Sequence, residues 1–194
     1  MTIKRSQVTS KRGDQGETTT LGGDDVPKSH PIIECCGYVD ELRAHIALVR
    51  QQVAATRPKD AESADFLLWL LHCCFAIGSH CSDPRNAHPE YRQVDLGPTH
   101  IDKLEAFQQR LEEAVTLPRK FIVSASNPLA AQTDVLTTYV RRLERAIVRL
   151  KESEPAFACA DILVFVNRLS DTLYMLARYF DEGAYQTVDY DVLR

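Results

Sequence analysis

The sequence is poor in glycine and proline, with 8 and 9 residues respectively among 194. Collagen-like chains and low-complexity disordered chains need far more of both residues, so these two classes are excluded. The composition is 44% hydrophobic and 26% charged, which is typical of an ordinary folded protein. A chain of this length can bury a core without disulfide or metal support, and we expect one domain.

An excess of positive charge is also lacking, because 23 lysines and arginines stand against 27 aspartates and glutamates, a formal net charge of -4. Proteins that bind nucleic acid through its phosphates normally present a basic face, and none is visible here. No apolar run reaches the roughly 20 residues that span a bilayer, and Met1–Val8 lacks the apolar centre of a secretory signal. We therefore expect a cytoplasmic protein with neither nucleic acid nor membrane as a partner.

Cysteine spacing typical of a disulfide or zinc framework is missing as well. Four of the six cysteines form two adjacent pairs, Cys35–Cys36 and Cys73–Cys74, within apolar helical stretches. We expect buried, reduced thiols, because neighbouring cysteines on a helix point in different directions. The C-x2-C spacing of structural zinc sites is absent. A metal site is the alternative, and its soft ligands would be His72, Cys73, Cys74, His80 and Cys81.

Apolar residues recur at helical spacing in five stretches of the chain. The predicted helices cover residues 32–53, 61–82, 99–115, 130–151 and 156–180. The second is apolar almost all round, so we expect it at the centre of a bundle. Five helices of this length predict an all-α fold, an antiparallel five-helix bundle.

Three segments fall outside the helical pattern. Residues 1–30 are polar and bear glycines, which predicts an irregular N-terminal arm ahead of a bundle over residues 31–185 and a tail over 186–194, all in one domain. Residues 82–98 carry three prolines without periodicity, which marks a long connection. Lys120–Val123 is short and apolar, as in a strand.

Glycines and cations occur together in the arm, between Ser10 and Thr18. Gly13 and Gly16 allow backbone amides to approach a ligand closely, and their polar neighbours offer charge and hydroxyl groups to a polyphosphate. These neighbours are Lys11, Arg12, Thr18 and Thr19. The order of residues is not that of a Walker motif. On composition alone, a flexible arm with turn glycines is the simpler interpretation.

Two predicted helices carry polar faces with candidate binding residues. On the fourth helix Arg141, Glu144 and Arg145 share one side, where an arginine pair beside a glutamate can clamp phosphate and orient ribose. On the fifth helix the residues on one side are Asn167, Asp171, Tyr174 and Arg178. For both faces the alternative is an ordinary solvated surface. For Phe121, the residue type alone predicts a core position.

Five motifs occur in a fixed order along the chain. They are S-K-R-G-D-Q-G-E-T at Ser10–Thr18, G-x-V-D-E-L at Gly37–Leu42, F-I at Phe121–Ile122, R-R-x-E-R at Arg141–Arg145 and N-R-L-S-D at Asn167–Asp171. In this order they resemble the PduO-type family of ATP:corrinoid adenosyltransferases, whose N-terminal loop reads T-K-T-G-D-K-G-E-T. Asp191–Arg194 is similar to the family's closing D-V-F-R, so the resemblance covers nearly the whole chain.

This resemblance implies a homotrimer of five-helix bundles with ATP bound between adjacent subunits. The implied reaction moves the 5′-deoxyadenosyl group of ATP onto the cobalt of reduced cobalamin and releases triphosphate, with Mg²⁺ held through ATP rather than by protein side chains. A reductase and an adenosylcobalamin-dependent enzyme are the implied protein partners. The residues implied to bind ATP are Ser10, Lys11, Arg12, Gly13, Asp14, Gly16, Thr18, Thr19 and Lys28 from one subunit, and Arg141, Glu144, Arg145 and Asn167 from its neighbour.

On the corrin side, the resemblance implies roles for Phe121, Asp40 and Leu193. Phe121 matches an aromatic residue that closes the lower face of the corrin and displaces the axial ligand, which makes cobalt(II) easier to reduce. Leu193 stands in place of an aromatic residue near the C-terminus. Phe121, Asp40 and Arg141 are the implied catalytic residues.

Two departures from the family pattern bear on activity. Thr137 stands where the family commonly has an arginine that pairs with the aspartate matching Asp40, so Asp40 would be a buried carboxylate without a partner unless Arg43 or Arg141 reaches it. Val123–Ser126 replaces L-P-G-G, which removes backbone freedom beside the implied corrin site. Two further hypotheses follow: a non-catalytic carrier or sensor that binds ATP or corrinoid, and a helical assembly protein that binds neither.

Overall fold

Helices form most of the chain, which a computed structural model describes at Lys11 and over Gly13–Arg194. In these residues the long helices are α1 (Pro31–Thr56), α2 (Ala61–Ser82), α3 (Pro98–Ala114), α4 (Pro128–Ser153) and α5 (Ala160–Asp181). The strands are β1 (Glu17–Thr19), β2 (Asp25–Pro27), β3 (Ile122–Ser124) and β4 (Gln186–Thr187), and two single-turn 3-10 helices lie at Pro89–Tyr91 and Tyr190–Leu193. The predicted all-α, five-helix fold is confirmed.

Proline and capping residues set where most of the helices begin. Pro31, Pro98 and Pro128 each occupy the first turn of a helix, where the missing N–H costs nothing. Asn127 caps α4 by accepting a hydrogen bond from the Ala130 N–H at 3.0 Å. The predicted start of the fifth helix at residue 156 is wrong, because α5 begins at Ala160. Buried Phe157 belongs to the turn before it, and the Phe157 carbonyl accepts a hydrogen bond from the Lys151 ammonium at 2.8 Å.

The helices pack so that α1 lies between α2 and α4, while α5 lies between α4 and α3. Phe66 of α2 stacks on Phe107 of α3 with ring centroids 3.7 Å apart, which joins the two outer helices. The predicted central position of α2 is therefore wrong: its inner face is buried, whereas Leu68 and Phe75 are exposed.

The apolar composition of α2 also corrects the expectation about membrane-spanning runs. Within the described part of the chain, this one 22-residue helix is long and apolar enough to cross a membrane by length and composition alone. In the structure it packs along α1 and contributes Leu67, Leu70 and Ile77 to the core. The core of the bundle thus accounts for part of its apolar character.

Two small antiparallel sheets attach the ends of the chain. β1 pairs with β2 in a hairpin, with Thr18 opposite Val26, inside the arm that was expected to be irregular. β3 pairs with β4, with Ile122 opposite Thr187. The predicted strand at Lys120–Val123 is confirmed, although it begins two residues later and ends one residue later, and part of the predicted tail is a strand.

The six thiols are free, and five of them are buried. Burial raises the pKa of the Cys73 and Cys74 thiols to about 12, so both stay protonated and unreactive at neutral pH. Across the described residues, no three His, Cys, Asp or Glu side chains are grouped so that they could hold a metal ion.

Candidate functional site

The N-terminal loop closes into a turn just before the β1–β2 hairpin. Gly16 adopts φ +85°, a conformation that side-chain-bearing residues rarely take, and its N–H donates to the Gly13 carbonyl at 3.2 Å. The Lys28 N–H, at the end of the hairpin, donates to the Gly16 carbonyl at 2.8 Å. The hairpin therefore holds the loop glycines in a fixed conformation.

Lys28 lies directly across Gly13. A Cβ atom placed on Gly13 would lie only 2.8 Å from the Lys28 Nζ and 2.9 Å from its Cε. Lys11, at the front of the same turn, is exposed and adopts φ 62°. Because Gly13 has no side chain, the Lys28 ammonium can pack against the loop, which also carries Lys11.

The threonines of the loop have different environments. The Thr19 hydroxyl donates to the Asp25 carboxylate at 2.7 Å, which joins the two strands of the hairpin. Thr18 is half-buried in β1, and Asp14 is exposed on the turn. Ser10 and Arg12, the other predicted members of the loop, lie outside the described residues.

An arginine tethers the hairpin to one end of the bundle. Arg85 lies 3.3 Å from Asp24 and forms two bonds of 2.9 Å with the two carboxylate oxygens of Glu154, just after α4. This bidentate contact lowers the pKa of Glu154 and keeps that carboxylate ionised. The loop therefore lies toward the C-terminal end of α4.

The polar faces of α4 and α5 meet at Glu144 and Asn167. The Asn167 amide donates to Glu144 at 3.1 Å, and its oxygen accepts from Arg168 at 2.8 Å. Arg141 and Arg145 flank Glu144 and are exposed, and among the described residues neither forms an ion pair. The structure thus brings together the four predicted residues of the two helices, with two arginines available to an anion.

The two arginines at the start of the R-R-x-E-R motif point to different surroundings. Arg142 pairs with Glu41 of α1, and its guanidinium stacks over Tyr139 at 4.6 Å and Tyr38 at 5.0 Å. This contact holds α1 against α4. Arg141, one residue earlier, has the free side chain.

These two groups of residues are not joined within one chain. Arg141 lies 13 residues before Glu154, which is roughly 20 Å along a helix that rises 1.5 Å per residue. Among the residues that the structure describes, no hydrogen bond or ion pair links Gly13–Lys28 to Arg141, Glu144 or Asn167. A single chain therefore presents two separate groups of candidate anion-binding residues.

Asp40 lies on an open groove of about 660 Å³ between α1, α2 and the connection that follows α2. Its side chain is 73% exposed and pairs with Arg43, one turn later on α1, at 3.2 Å. The expected burial of this carboxylate is therefore wrong, and its partner is Arg43, one of the two arginines considered for it. Thr137 is itself buried, and its hydroxyl donates to the Thr133 carbonyl at 3.1 Å.

Phe121 is 80% exposed, so the core position that its residue type predicts is wrong. The residue precedes β3, and its carbonyl accepts a hydrogen bond from the Val188 N–H at 2.8 Å. Leu193, in the last 3-10 turn, is 81% exposed. Neither residue lines the groove beside Asp40, so the predicted corrin-side residues are not gathered within one chain.

Sequence reasoning missed a buried cluster of charges near Phe121. Arg178, expected on a solvated face, is only 2% exposed and contacts Asp134 and Asp181. Asp181 in turn accepts hydrogen bonds from Ser126. Helical spacing places Asp181 one turn after Arg178, but it could not show that Asp134 and Ser126, from other segments of the chain, join them.

The fold and the candidate site together define a class of protein: a five-helix bundle with a glycine-bearing cationic loop ahead of it and two unpaired arginines on one helix face, among the residues that the structure describes. The comparison with known families gives this class its name. The sequence model of the family described as cobalamin adenosyltransferase matches residues 8–180, and the chain belongs to that family.

Individual relatives agree over most of their length. A cobalamin adenosyltransferase of Cupriavidus metallidurans is 32% identical over 183 residues, which cover 92% of this chain and 90% of that protein. The human corrinoid adenosyltransferase MMAB is 29% identical over 178 residues, which cover 89% of this chain and 68% of the human protein.

Solved structures show the same fold. A variant of the PduO-type ATP:corrinoid adenosyltransferase of Lactobacillus reuteri, complexed with cobalamin and ATP, superposes with a TM-score of 0.82 at 25% identity, over 95% of this chain and 99% of that one. A second variant of the same enzyme, complexed with ATP, gives a TM-score of 0.80 at 25% identity, over 94% of this chain and 99% of that one.

Proposed function

We propose that this chain transfers the 5′-deoxyadenosyl group of ATP to the cobalt of a reduced corrinoid, at sites that two subunits build together. The observation that carries the proposal is the Asn167–Glu144 contact flanked by Arg141 and Arg145, in a chain that matches its family over residues 8–180. In the reaction, the cobalt(I) electron pair forms a bond to the 5′ carbon while the bond from that carbon to the triphosphate oxygen breaks. Cobalt becomes formally cobalt(III), and triphosphate leaves.

The loop of one subunit would bind the triphosphate. Gly16 has open space beside it, so phosphate oxygens can approach the backbone there, and Lys11 and Lys28 supply positive charge. Asp14 is exposed on the same turn. Mg²⁺ favours phosphate oxygens together with one or two carboxylates, so we propose that it enters with ATP.

The α4–α5 face of the neighbouring subunit would bind the rest of the nucleotide. Glu144 offers carboxylate oxygens and Asn167 an amide that can hydrogen-bond to sugar hydroxyls, and Arg141 and Arg145 can neutralise charge that develops on the leaving triphosphate. Positioning and electrostatics are the main tasks of these residues, because the cobalt(I) nucleophile supplies the chemical reactivity.

A homotrimer is the assembly that we propose for joining the two halves. Its support is the separation of the halves within one chain, together with apolar side chains that single helices leave exposed. These are Leu48, Leu68, Phe75, Val135, Val148 and Val164. Burial of such residues between subunits is a common basis of symmetric oligomers. Native mass spectrometry should give three times the mass of the chain, and a monomer that is fully active would contradict the shared site.

On the corrin side, we propose that Phe121 covers the lower face of the ring, with Asp40 and Leu193 near its edge. The support is that all three side chains are exposed, and an exposed aromatic residue is available for contact with a large ligand. Arg43 supplies the cation beside Asp40 from within the same helix.

The cellular setting is a proposal as well. Cobalt(I) requires an electron donor, so a reductase is the expected partner upstream and an adenosylcobalamin-dependent enzyme the expected consumer. Free buried thiols suit a reducing compartment, and we propose the cytoplasm.

The decisive assay incubates the protein with ATP, Mg²⁺ and chemically reduced cobalamin. We expect adenosylcobalamin and triphosphate in equal amounts, whereas the absence of product at high protein concentration would contradict the proposal. Arg141→Ala should weaken ATP binding strongly, while Arg110→Ala, an exposed arginine on α3, should leave it unchanged. Tight ligand binding by calorimetry without turnover would instead indicate a carrier or sensor.

A further inference from the structure

The C-terminal end of α5 carries a charge cluster that is almost fully buried. Arg178 is 2% exposed and Asp181 is 1% exposed. The Arg178 Nη2 donates to the Asp134 carboxylate at 2.6 Å, and its Nε lies 3.1 Å from the Asp181 Oδ2. One guanidinium therefore lies beside two carboxylates, an arrangement that costs desolvation energy and that hydrophobic residues could replace if only stability mattered.

Asp181 uses its other oxygen to hold a segment that is distant in sequence. Its Oδ1 accepts two hydrogen bonds of 2.7 Å from Ser126, one from the backbone N–H and one from the hydroxyl. The neighbouring Asn127 amide donates to the Phe180 carbonyl at 2.9 Å. The chain between Phe121 and α4 is thereby fixed to the last turn of α5.

The opposite side of the same segment is fixed to the chain that follows α5. After Asp181 the backbone turns through Glu182 and Gly183, both with positive φ, and the Ala184 N–H returns to the Asp181 carbonyl at 2.9 Å. This turn leads into β4, which pairs with β3, and then to Val188, whose N–H donates to the Phe121 carbonyl. Two contacts thus hold the Phe121 segment. One is the pair of hydrogen bonds from Ser126 to Asp181, and the other is the pairing of β3 with β4, which follows the turn after Asp181.

We propose that Asp181, paired with Arg178, is the positioning residue for Phe121. Phe121 is exposed and gains little from its own packing, so its location depends on the backbone that carries it. The Ser126 hydroxyl donates a hydrogen bond to Asp181. The family motif has glycine at this position, and glycine could not make that bond. Asp181 does not contact substrate, and the inference rests on the proposed role of Phe121 at the corrin face.

Hydrogen–deuterium exchange of the whole protein tests the anchoring without any ligand. Asp181→Asn removes the charge that faces Arg178. Ser126→Ala removes an exposed hydroxyl, with its bonds to Asp181 and from the Asn127 amide, and keeps the backbone N–H bond to Asp181. We expect the amides of residues 121–126 to exchange about tenfold faster in either variant, as for the loss of a hydrogen bond to a charged group. The helices should keep their protection.

Two matched controls separate local anchoring from general weakening. Glu182→Gln removes the adjacent carboxylate, which is exposed and pairs with Arg57 instead. Thr138→Val removes an exposed hydroxyl of α4 whose one bond goes to Val135. Both should exchange like the unmodified protein at residues 121–126. If Asp181→Asn fails to fold, the test rests on Ser126→Ala. Exchange at the wild-type rate in residues 121–126 of Ser126→Ala would overturn the proposal.

Kinetics then test the consequence at the corrin. Ser126→Ala and Asp181→Asn should raise the KM for cobalamin while the KM for ATP stays constant, and neither change should add to Phe121→Ala. An equal rise in both KM values would contradict a positioning role. If the unmodified protein produces no adenosylcobalamin, the proposed function fails, and the exchange data alone still decide whether Asp181 anchors the segment.

Discussion

Substitution of Gly13 by alanine should weaken ATP binding without unfolding the loop. The new Cβ would lie 2.8 Å from the Lys28 Nζ and 2.9 Å from its Cε, whereas the next contact, with the Glu17 carbonyl, is 3.4 Å away. The flexible end of Lys28 can move more easily than the backbone. The main effect should therefore be displacement of the ammonium from the turn.

The size of the effect follows from this displacement. Non-bonded heavy atoms pack at about 3.5–4.0 Å, so the ammonium must retreat by about 1 Å. Moving a unit charge from about 3 Å to about 4 Å from a phosphate oxygen, at an effective dielectric constant of about 20, weakens attraction by about tenfold in affinity. Because Lys28 is exposed and solvent screens its charge, we expect ATP to bind about three- to tenfold more weakly.

Isothermal calorimetry with ATP and Mg²⁺ measures this change, and a thermodynamic cycle with Lys28→Ala assigns its cause. If Gly13 acts through Lys28, the two substitutions together should weaken binding no more than Lys28→Ala alone. Gly22→Ala is the matched control, because its Cβ would meet nothing closer than 3.7 Å. Unchanged affinity in Gly13→Ala, or two effects that multiply fully, would refute this reasoning.

Three further predictions concern stability and the corrin side. Arg178→Met should lower the free energy of unfolding by about 3 kcal/mol at neutral pH, by urea titration, because it leaves buried Asp181 and half-buried Asp134 without their cation. Burial raises the pKa of Asp134, so this loss should shrink in acid as Asp134 takes up a proton. Glu154→Gln should lower the Tm by roughly 2–4 °C at neutral pH. Since Arg85 lowers the pKa of Glu154, the difference should vanish as the pH falls through that pKa, by calorimetry at several pH values. Phe121→Ala should leave the Tm unchanged and slow adenosylation by up to about tenfold, because the ring is exposed and its contact would be with the corrin.

The helices were predictable because each buries a continuous apolar stripe. Leu136, Val140, Leu143, Ile147 and Leu150 follow one side of α4 in the sequence, and all five are buried in the structure. The same reasoning placed Phe157 in a helix, since an apolar residue in a turn looks the same in a periodic pattern. A periodic pattern therefore predicts that a helix exists better than it predicts where the helix begins and ends.

Three of the four strands were not predicted, for a different reason. β1, β2 and β4 have two or three residues each, which is too short for alternation to be visible. The Gly22–Gly23 pair was a usable signal for the hairpin turn, and Gly23 indeed adopts φ +89°. β4 offered no such signal, because its pairing depends on where α5 ends.

The candidate site was also predicted only in part. Glu144 and Asn167 were predicted together, and their hydrogen bond across α4 and α5 is present. The exposure of Phe121 contradicted the prediction from residue type and agreed with the resemblance. The exposure of Asp40 was missed because the sequence does not reveal that the neighbouring helix face is open to a groove.

The hydrogen bond between Ser126 and Asp181 also has a consequence for the order of folding. It joins residues 55 positions apart, and both α4 and α5 lie between them. Packing of α4 against α5 brings these two residues together, so we expect this contact to close late in folding and to open while the bundle stays folded. Phe121 would then be the last part of the site to take its place and the first to leave it. A substitution that loosens α4 against α5 would accordingly impair corrin handling at temperatures where the bundle itself is still folded.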